Sequence, residues 1–595
     1  MENLGEYRRS FYCGEFGQAA EGQNVTAMGW VNRVRRLGQL VFVTLRDHTG
    51  LVQIALDESG DAALFAKAES LKSEYVVAVT GKIALRREKD INPDMPTGKI
   101  EIIADSITIL SKSELPPFQI GDENVSEALR LKHRYLDLRR DGLQENLRLR
   151  HKIAMSVRNF LSNNGFIEVE TPILTNSAPE GARDYLVPSR VNPGKFYALP
   201  QSPQILKQIL MVAGIDRYFQ IAKCLRDEDL RADRQPEFTQ IDIEQSFVDQ
   251  EDILALVEDL VSTVFKETRG IELATPFPRL TFDEAMSRFG SDKPDTRFGL
   301  ELRDITPIVA GSDFAVFQGA IDAGGSVRAI CAKGCGGMSR KQIDSLIEYV
   351  KTYKAKGLAW IQLPAEGEMK TTIGKFFNDV QLNEIIDAMG AQKGDLILIC
   401  ADENQIVFDA LGNLRLEIAR RNELIPEGTY APLWMLEFPL LIWDAEDGRF
   451  YANHHPFTAP MDEDVHYLDT DPIKARSKQH DLVINGYETA GGSIRLHRED
   501  MQEKMLNILG YTAEEARANF GHLMDAFKYG APPHGGIAFG LDRLVMLLCQ
   551  TANIRDVIAF PKNQDAVCPM TGAPNTVFPQ QLEELKISLN LGSTE

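Results

Sequence analysis

Cysteine is scarce in this chain, with seven residues in 595. That density excludes a disulfide-stapled scaffold. Cys331 and Cys335 are the one CxxxC pair, and no second pair stands at zinc spacing, so no structural zinc is expected. Long apolar runs are missing too: none approaches the ~18 residues that span a bilayer, and no membrane partner is expected. Met1 to Trp30 lacks the charged-then-apolar pattern of a secretion signal, which makes a cytoplasmic location the expectation. Basic charge is in deficit: Lys+Arg number 65 against 86 Asp+Glu, for a net charge of −21 and a pI near 5.1. Taken globally, that argues against a nucleic-acid binder. What is present is ordinary for a globular protein, 44% hydrophobic and 25% charged. At ~150 residues per domain the length corresponds to roughly three to five domains.

The charge is unevenly distributed. Residues 1–112 carry 14 Lys+Arg and 15 Asp+Glu, so the acidic surplus lies in the rest of the chain. Val25–Gly50 holds Arg33, Arg35, Arg36 and Arg46 against Asp47 alone. Val125–Leu161 holds nine Lys/Arg against four acids. A run of this kind is ordinarily a solvated helix face. Exposed charges separated by more than ~10 Å are largely screened at physiological salt, so a distant acidic surplus does not cancel a local basic face.

Residues 24–110 read as five short strands, Val25–Val31, Leu40–Arg46, Leu51–Leu56, Tyr75–Leu85 and Lys99–Leu110. Ser59–Lys72, between the third and fourth, has helical apolar spacing. That order is the order of an OB-fold barrel, a fold that often binds single-stranded nucleic acid, with a purely structural barrel as the alternative. Pro116-Pro117 marks a linker. Leu143–Asn163 suits one long amphipathic helix, and Gly165–Pro172 a turn and a strand ended by proline. Tyr218–Ala222 and Glu237–Phe247 are strands that return through a charged loop, which predicts an α/β domain on an antiparallel sheet. Residues 295–425 differ in texture. Helical patterns (Arg340–Ala355, Asn378–Met389) alternate there with strands (Ala359–Leu363, Asp395–Ala401) between glycine-rich joints, as in an inserted α+β module. The surrounding pattern resumes near Leu433.

The segment Phe219–Asp242 is a strand, a loop dense in charge, and a returning strand. A salt-bridged surface hairpin would account for it alone, but not for Gly535-Gly-Ile-Ala-Phe-Gly-Leu-Asp-Arg543. There a strand of small residues runs into a helix headed by arginine, which lets a ligand approach the backbone and sets a cation toward an anion.

These segments resemble the three motifs of class II aminoacyl-tRNA synthetases: Gly165–Leu174 the first, Phe219–Asp242 the second, Gly535–Arg543 the third. The strings Pro179–Leu186, Gln201–Gln204, Arg226–Arg231, His454–Phe457 and Asn485–Glu488 resemble, more closely, the bacterial aspartyl-tRNA synthetase family over nearly the whole chain. The resemblance implies an OB-fold anticodon-binding domain (1–112), a linker (113–142), a class II catalytic domain in two parts (143–294 and 426–595, the latter with a C-terminal extension) and a GAD-type insertion (295–425). It implies ATP-dependent attachment of L-aspartate to tRNA-Asp through an aspartyl-adenylate, with Mg²⁺, in a homodimer.

In that family reaction the substrate carboxylate is itself the nucleophile, so the protein supplies positioning and cationic stabilisation rather than a serine or cysteine. By resemblance Arg226 takes the α-phosphate and the substrate carboxylate. Asp227, Glu228, Gln235 and Phe238 face the nucleotide, as do Glu488, Gly540, Leu541 and Asp542, with Arg543 on the terminal phosphate. Asp481 and Glu488 are the Mg²⁺ carboxylates, oxygen ligands that suit a hard cation. Lys207 and Arg495 read the substrate's β-carboxylate, Asp242 and Glu180 its ammonium, and Ser202, Gln204 and His454 complete the pocket. A lone histidine is as readily a structural residue; the matched His-His-Pro-Phe string favours the site. Arg33, Arg35, Phe42 and Gln53 are candidates for the anticodon. Leu37 and Lys89 match tRNA-Asp-specific members, whereas relaxed members that also charge tRNA-Asn tend to carry His and Gly there. A relaxed enzyme, and a paralogue that binds tRNA without catalysis, are the alternatives; the latter should have lost Arg226, Lys207, Arg495 or Arg543, and all four are present.

Overall fold

Alternating burial shapes the first half of the chain. In the computed structural model, which describes residues 2–177, 182–228 and 233–591, β1 (Asn24–Leu37) turns Val25, Ala27 and Val31 inward and β2 (Leu40–Asp47) turns Val41, Val43 and Leu45 inward. β3 (Gly50–Asp57), helix α1 (Ala62–Glu69), β4 (Val76–Leu85) and β5 (Ile100–Ser111) follow. The strands close into a barrel in the order β1-β2-β3-β5-β4. Asp61 caps α1, its carboxylate accepting from the Ala63 and Leu64 amides at 2.8 and 3.2 Å, and Phe65 and Ala68 seal one end of the core.

The barrel belongs to one of two compact units, built from residues up to Leu149 together with Arg555–Asn575. The first half of the basic stretch also lies in it, and it is not a solvated face. Arg130, Arg134 and Arg140 converge on the buried Asp137 carboxylate at 3.1, 2.7 and 2.7 Å. Arg139 pairs with the buried Glu74 at 2.6 Å. A composition count sees nine cations; it does not see that one buried carboxylate engages three of them.

The second unit holds Arg150–Ile554 and the chain from Thr576 onward. Helix α2 (Asp141–Asn163) contributes its later turns, with Ile153, Val157 and Leu161 buried. Strand β6 (Ile167–Glu168) is only two residues long, shorter than its motif predicts. Helix α3 (Gln204–Val212), β7 (Arg217–Leu225), β8 (Glu237–Ser246), α4 (Gln250–Arg269) and β9 (Arg279–Thr281) follow. After the insertion come β10 (Pro432–Leu436), β11 (Gln479–Ile484), β12 (Tyr487–Ile494), β13 (His534–Gly540) and α5 (Leu541–Leu548). The eight strands form one sheet in the order β9-β10-β11-β12-β13-β8-β7-β6. Its pairings are antiparallel except at the two edges, where β9–β10 and β6–β7 run parallel.

The insertion has its own five-stranded sheet, in the order Arg303–Asp304, Ser326–Ala332, Leu396–Asp402, Ala359–Gln362, Lys370–Thr371. Alternate residues feed separate cores. Ile330, Leu398 and Cys400 face one, with helices Arg340–Lys351 and Asn404–Arg421; Ala329, Ile397 and Ile399 face the other, with helix Asp379–Ala388. Cys331 packs in the second core and Cys335 in the first, so the CxxxC pair is divided between them. No helix among the described residues is long and apolar enough to cross a membrane.

Candidate active site

The middle strands β8, β12 and β13 carry two cavities that share a wall. One, of about 210 Å³, is lined by Arg226, Glu228, Asp233, Gln235, Phe238, Glu488, Gly540, Asp542 and Arg543 among others. The other, of about 330 Å³, is lined by Ser202, Gln204, Lys207, Arg226, Asp242, His454, His455 and Arg495 among others. Arg226, Glu228, Gln240, Glu488, Gly491 and Ala538 line both. The geometry therefore offers two adjoining compartments with a guanidinium on their common boundary.

The polar cavity depends on buried ion pairs. Lys207 on α3 stands 2.6 Å from Asp242 and 3.1 Å from Glu244, both on β8. Arg495, just after β12, donates from Nε and Nη2 to Glu244 at 2.9 and 3.1 Å and from Nη1 to Ser493 Oγ at 2.7 Å. All four charged residues are 2% exposed or less. Burial pushes the Glu244 carboxyl up, but Arg495 and Lys207 beside it more than offset this and hold it at about 2. Burial raises Asp242, with Lys207 acting against it. His454, open to the cavity, is lowered by its crowded setting and by the nearby Arg495 cation, so its imidazole is neutral at pH 7. Gln204 Nε2, Arg226 Nε and His455 Nε2 are buried with no hydrogen-bond partner among the described residues. Asp242 Oδ2 on the same wall is likewise unpaired among the described residues; buried polar groups are ordinarily paired, so four orphans on one cavity wall mark a place for a polar ligand.

The smaller cavity has a different character. Arg226 carries its guanidinium 5.1 Å from the Phe238 ring centroid. At the start of α5 the Asp542 carboxylate accepts from the Thr239 amide at 2.7 Å and pairs with Arg150, fixing this helix to β8. Arg543 donates to the Glu488 carbonyl and pairs with Asp233 at 3.2 Å. Asp227 and Leu541 do not line this cavity: Asp227 bonds through its amide to the Arg183 carbonyl at 3.1 Å, and Leu541 is 2% exposed within the core. Glu180 lies outside the described residues.

Asp481 and Glu488 converge on Gly491. A Cβ there would stand 3.1 Å from Asp481 Oδ1 and 3.4 Å from Glu488 Oε1. Asp481 Oδ1 is buried without a partner among the described residues, and burial together with the Glu488 charge pushes its carboxyl well above the usual range. Two carboxylates with an orphaned oxygen fit a hard divalent cation. The described residues contain no cluster of three or more His, Cys, Asp or Glu arranged for a metal.

Glu244, His455, Gln240 and Asp233 were missed in the sequence. Glu244 was accessible to simple alternation, since it stands two residues from Asp242 on one strand and so faces the same side. The glycines of β13 also have a second reason. A Cβ on Gly536 would come within 2.1 Å of Glu244 Oε2 and of the Ile243 carbonyl, so the space is filled by the protein's own carboxylate rather than by a ligand.

On the barrel, Arg33 pairs with Thr44 and Thr44 with Gln53, while Arg35 pairs with Phe42. Residues two apart share a face, so all four anticodon candidates lie on one side of the β1-β2-β3 ribbon, opposite the buried Val43 and Ile54. Gln53 donates to Glu101 at 2.9 Å. Leu37, 71% exposed, closes the β1–β2 hairpin opposite Leu40, and Lys89 is exposed in the short turn Glu88–Asp90 after β4.

Comparison with known proteins gives a consistent picture. Residues 126–564 match the family described as tRNA synthetases class II (D, K and N), and residues 25–110 match the OB-fold nucleic acid binding domain. The aspartate–tRNA(Asp/Asn) ligase of Caldanaerobacter subterraneus subsp. tengcongensis is 56% identical over 591 residues, 99% of this chain and 100% of its own. The aspartate–tRNA ligase of Ruminiclostridium cellulolyticum is 56% identical over 589 residues, 99% of each. Among solved structures, the asparaginyl-tRNA synthetase from Pyrococcus horikoshii complexed with asparaginyl-adenylate shares the fold, with a TM-score of 0.59, 19% identity, and coverage of 93% of this chain and 98% of its own.

Proposed function

The chain belongs to the aspartate–tRNA ligases of the class II tRNA synthetases, and from that premise we propose how its residues divide the work. The enzyme joins L-aspartate to tRNA-Asp in two steps. The aspartate α-carboxylate attacks the α-phosphorus of ATP; the bond to the β-phosphate oxygen breaks, and pyrophosphate leaves. A hydroxyl of the terminal adenosine of tRNA then attacks the carbonyl carbon of the adenylate, loses its proton, and AMP departs.

The observation that carries this division is the position of Arg226 on the wall common to both cavities. The larger, charge-lined cavity takes aspartate, and the smaller takes ATP, with Phe238 against the base and Arg543 toward the phosphates. Arg226 then meets the two reacting groups where negative charge accumulates in the transition state. Lys207 and Arg495 face the β-carboxylate, and Asp242 faces the ammonium. Neutral His454 adds a polar contact without adding charge. Asp481 and Glu488 would hold Mg²⁺, which when bound neutralises phosphate charge. Pyrophosphate exchange that depends on aspartate tests this assignment; an enzyme that exchanges equally with asparagine would refute it.

The barrel face bearing Arg33, Arg35, Phe42 and Gln53 is assigned to the tRNA anticodon, in keeping with stacking and guanidinium contacts to splayed bases. Leu37 and Lys89 favour the enzyme specific for tRNA-Asp. The mixed names of the relatives keep charging of both tRNA-Asp and tRNA-Asn as the second reading. The domain boundaries at 112, 142, 294 and 425 and a cytoplasmic location are parts of the same proposal. So is a homodimer: Ile167, Ile173 and Leu174 are more than half exposed, apolar surface that a second copy would cover. Sedimentation at micromolar concentration distinguishes dimer from monomer.

A further inference from the structure

We propose that Glu244, which lies behind the aspartate cavity and not on its surface, is the positioning residue that makes the cavity selective for a carboxylate over an amide. The inference rests on the assignment of that cavity to aspartate and names a residue which that assignment does not contain.

Arg495 and Lys207 have a limited number of donors to share between their protein partners and a ligand. A guanidinium has five N–H groups and an ammonium three. Glu244 engages Arg495 through Nε and Nη2, and Ser493 Oγ takes one N–H of Nη1. Two N–H groups of Arg495 are left, the number a carboxylate accepts in a bidentate pair. Lys207 donates to Asp242 at 2.6 Å and stands in an ion pair 3.1 Å from Glu244, with at least one N–H left for a ligand. The two cations therefore present at least three donors to the ligand and no acceptor of their own. A β-carboxylate accepts from these donors, whereas the NH₂ of an amide set against the same two cations meets donors only and stays unpaired there.

Glu244 is what fixes this count. Among the described residues it is the one anion that touches both cations, at 0% exposure, and it does not line the cavity. With Asp242 it also balances two buried positive charges with two negative ones before any substrate arrives. The backbone accommodates it at a specific place: only a residue without Cβ at 536 leaves room for Glu244 Oε2, since a Cβ there would stand 2.1 Å away. Desolvated charge is costly, and a carboxylate driven this deep against a neighbouring strand is retained where its geometry is needed.

The test is pyrophosphate exchange with L-aspartate and with L-asparagine by wild type, Glu244→Gln and Ser493→Ala, with the ATP KM and the thermal midpoint measured on each. Glutamine keeps the volume but removes the charge and the bidentate acceptor. In Glu244→Gln the aspartate KM is expected to rise about 10- to 100-fold, the aspartate-over-asparagine preference to fall about 100-fold, and the ATP KM to stay unchanged. Ser493→Ala, which removes one anchor of Arg495 and no charge, is expected to give a milder loss of the same preference. A folded Glu244→Gln enzyme that keeps the wild-type preference overturns the inference; if that variant does not fold, wild-type preference in Ser493→Ala overturns it. Failure of the wild type to exchange with aspartate would instead overturn the assignment of the cavity.

Discussion

Asp233 pairs with Arg543 at 3.2 Å inside the nucleotide cavity, the two side chains 30% and 21% exposed. The guanidinium assigned to the terminal phosphates is thus already engaged by a carboxylate, and ATP must displace it. A partly exposed pair of this kind is worth at most about 1 kcal/mol. Asp233→Asn is therefore expected to lower the ATP KM about 2- to 5-fold, without affecting the aspartate KM. A higher ATP KM in this variant would show that Asp233 assists the nucleotide rather than competing with it.

Arg495 is expected to matter for stability as well as for activity. Arg495→Ala removes the contact to the β-carboxylate and leaves Glu244 with Lys207 as its remaining partner. Aspartate-dependent exchange should vanish while the fold survives. The cost to stability is of the order of 3 kcal/mol, because a buried charge loses a bidentate partner. Exchange and urea unfolding measured on one preparation check both halves; near-normal exchange refutes the role given to Arg495.

Much of this architecture was legible beforehand, for reasons that can be stated. The barrel strands alternate cleanly because one face is buried and the other is wet, so Val41, Val43 and Leu45 announce themselves. The helix Asn404–Arg421 was not anticipated: it is wedged between a sheet and neighbouring helices, and buries Gly412 and Arg415 beside its leucines, which blurs the periodicity. Arg415 donates to the carbonyls of Asp295, Phe298 and Gly299, partners more than a hundred residues away in sequence. The same limit hid the pairing of Arg150 with Asp542. Motif resemblance picked out many of the residues that line the cavities but not Asp233, Gln240 or His455, and alternation along β8 pointed to Glu244 while only the fold shows its two cationic partners.

The buried histidines set a pH dependence of stability. His480, fully buried, falls to about 3 and His455 well below its ordinary 6.5, in both cases through burial first and the Arg495 cation second. The unfolded chain therefore binds protons below pH 6.5 that the folded chain does not, and stability rises with pH across this range. Acidification from pH 7 should weaken the fold progressively from about pH 6.5 toward pH 3. Urea midpoints at pH 7, 6, 5 and 4 measure this. Replacement of both histidines by asparagine should flatten the slope above pH 5, and an unchanged slope would place its origin elsewhere.

The proposed selection between tRNA-Asp and tRNA-Asn rests on the barrel. Leu37 projects from the β1–β2 hairpin at 71% exposure, at the end of the ribbon whose one face carries Arg33, Arg35, Phe42 and Gln53. A large apolar side chain held in water at a hairpin tip contributes nothing to the core; against an unstacked base it gains dispersion and loses water. Lys89, exposed in its own turn, adds a charge that reaches phosphate. The enzyme is thus expected to charge tRNA-Asp and to charge purified tRNA-Asn at least ~10-fold less efficiently, since a single wrong base typically costs about 1–3 kcal/mol in a nucleic-acid site. Leu37→His combined with Lys89→Gly should narrow that gap by raising kcat/KM for tRNA-Asn, while aspartate-dependent pyrophosphate exchange, which needs no tRNA in the first step, stays at the wild-type rate. Equal charging of both tRNAs by the unaltered protein would establish the relaxed enzyme instead, and would remove Leu37 and Lys89 from the list of residues that discriminate.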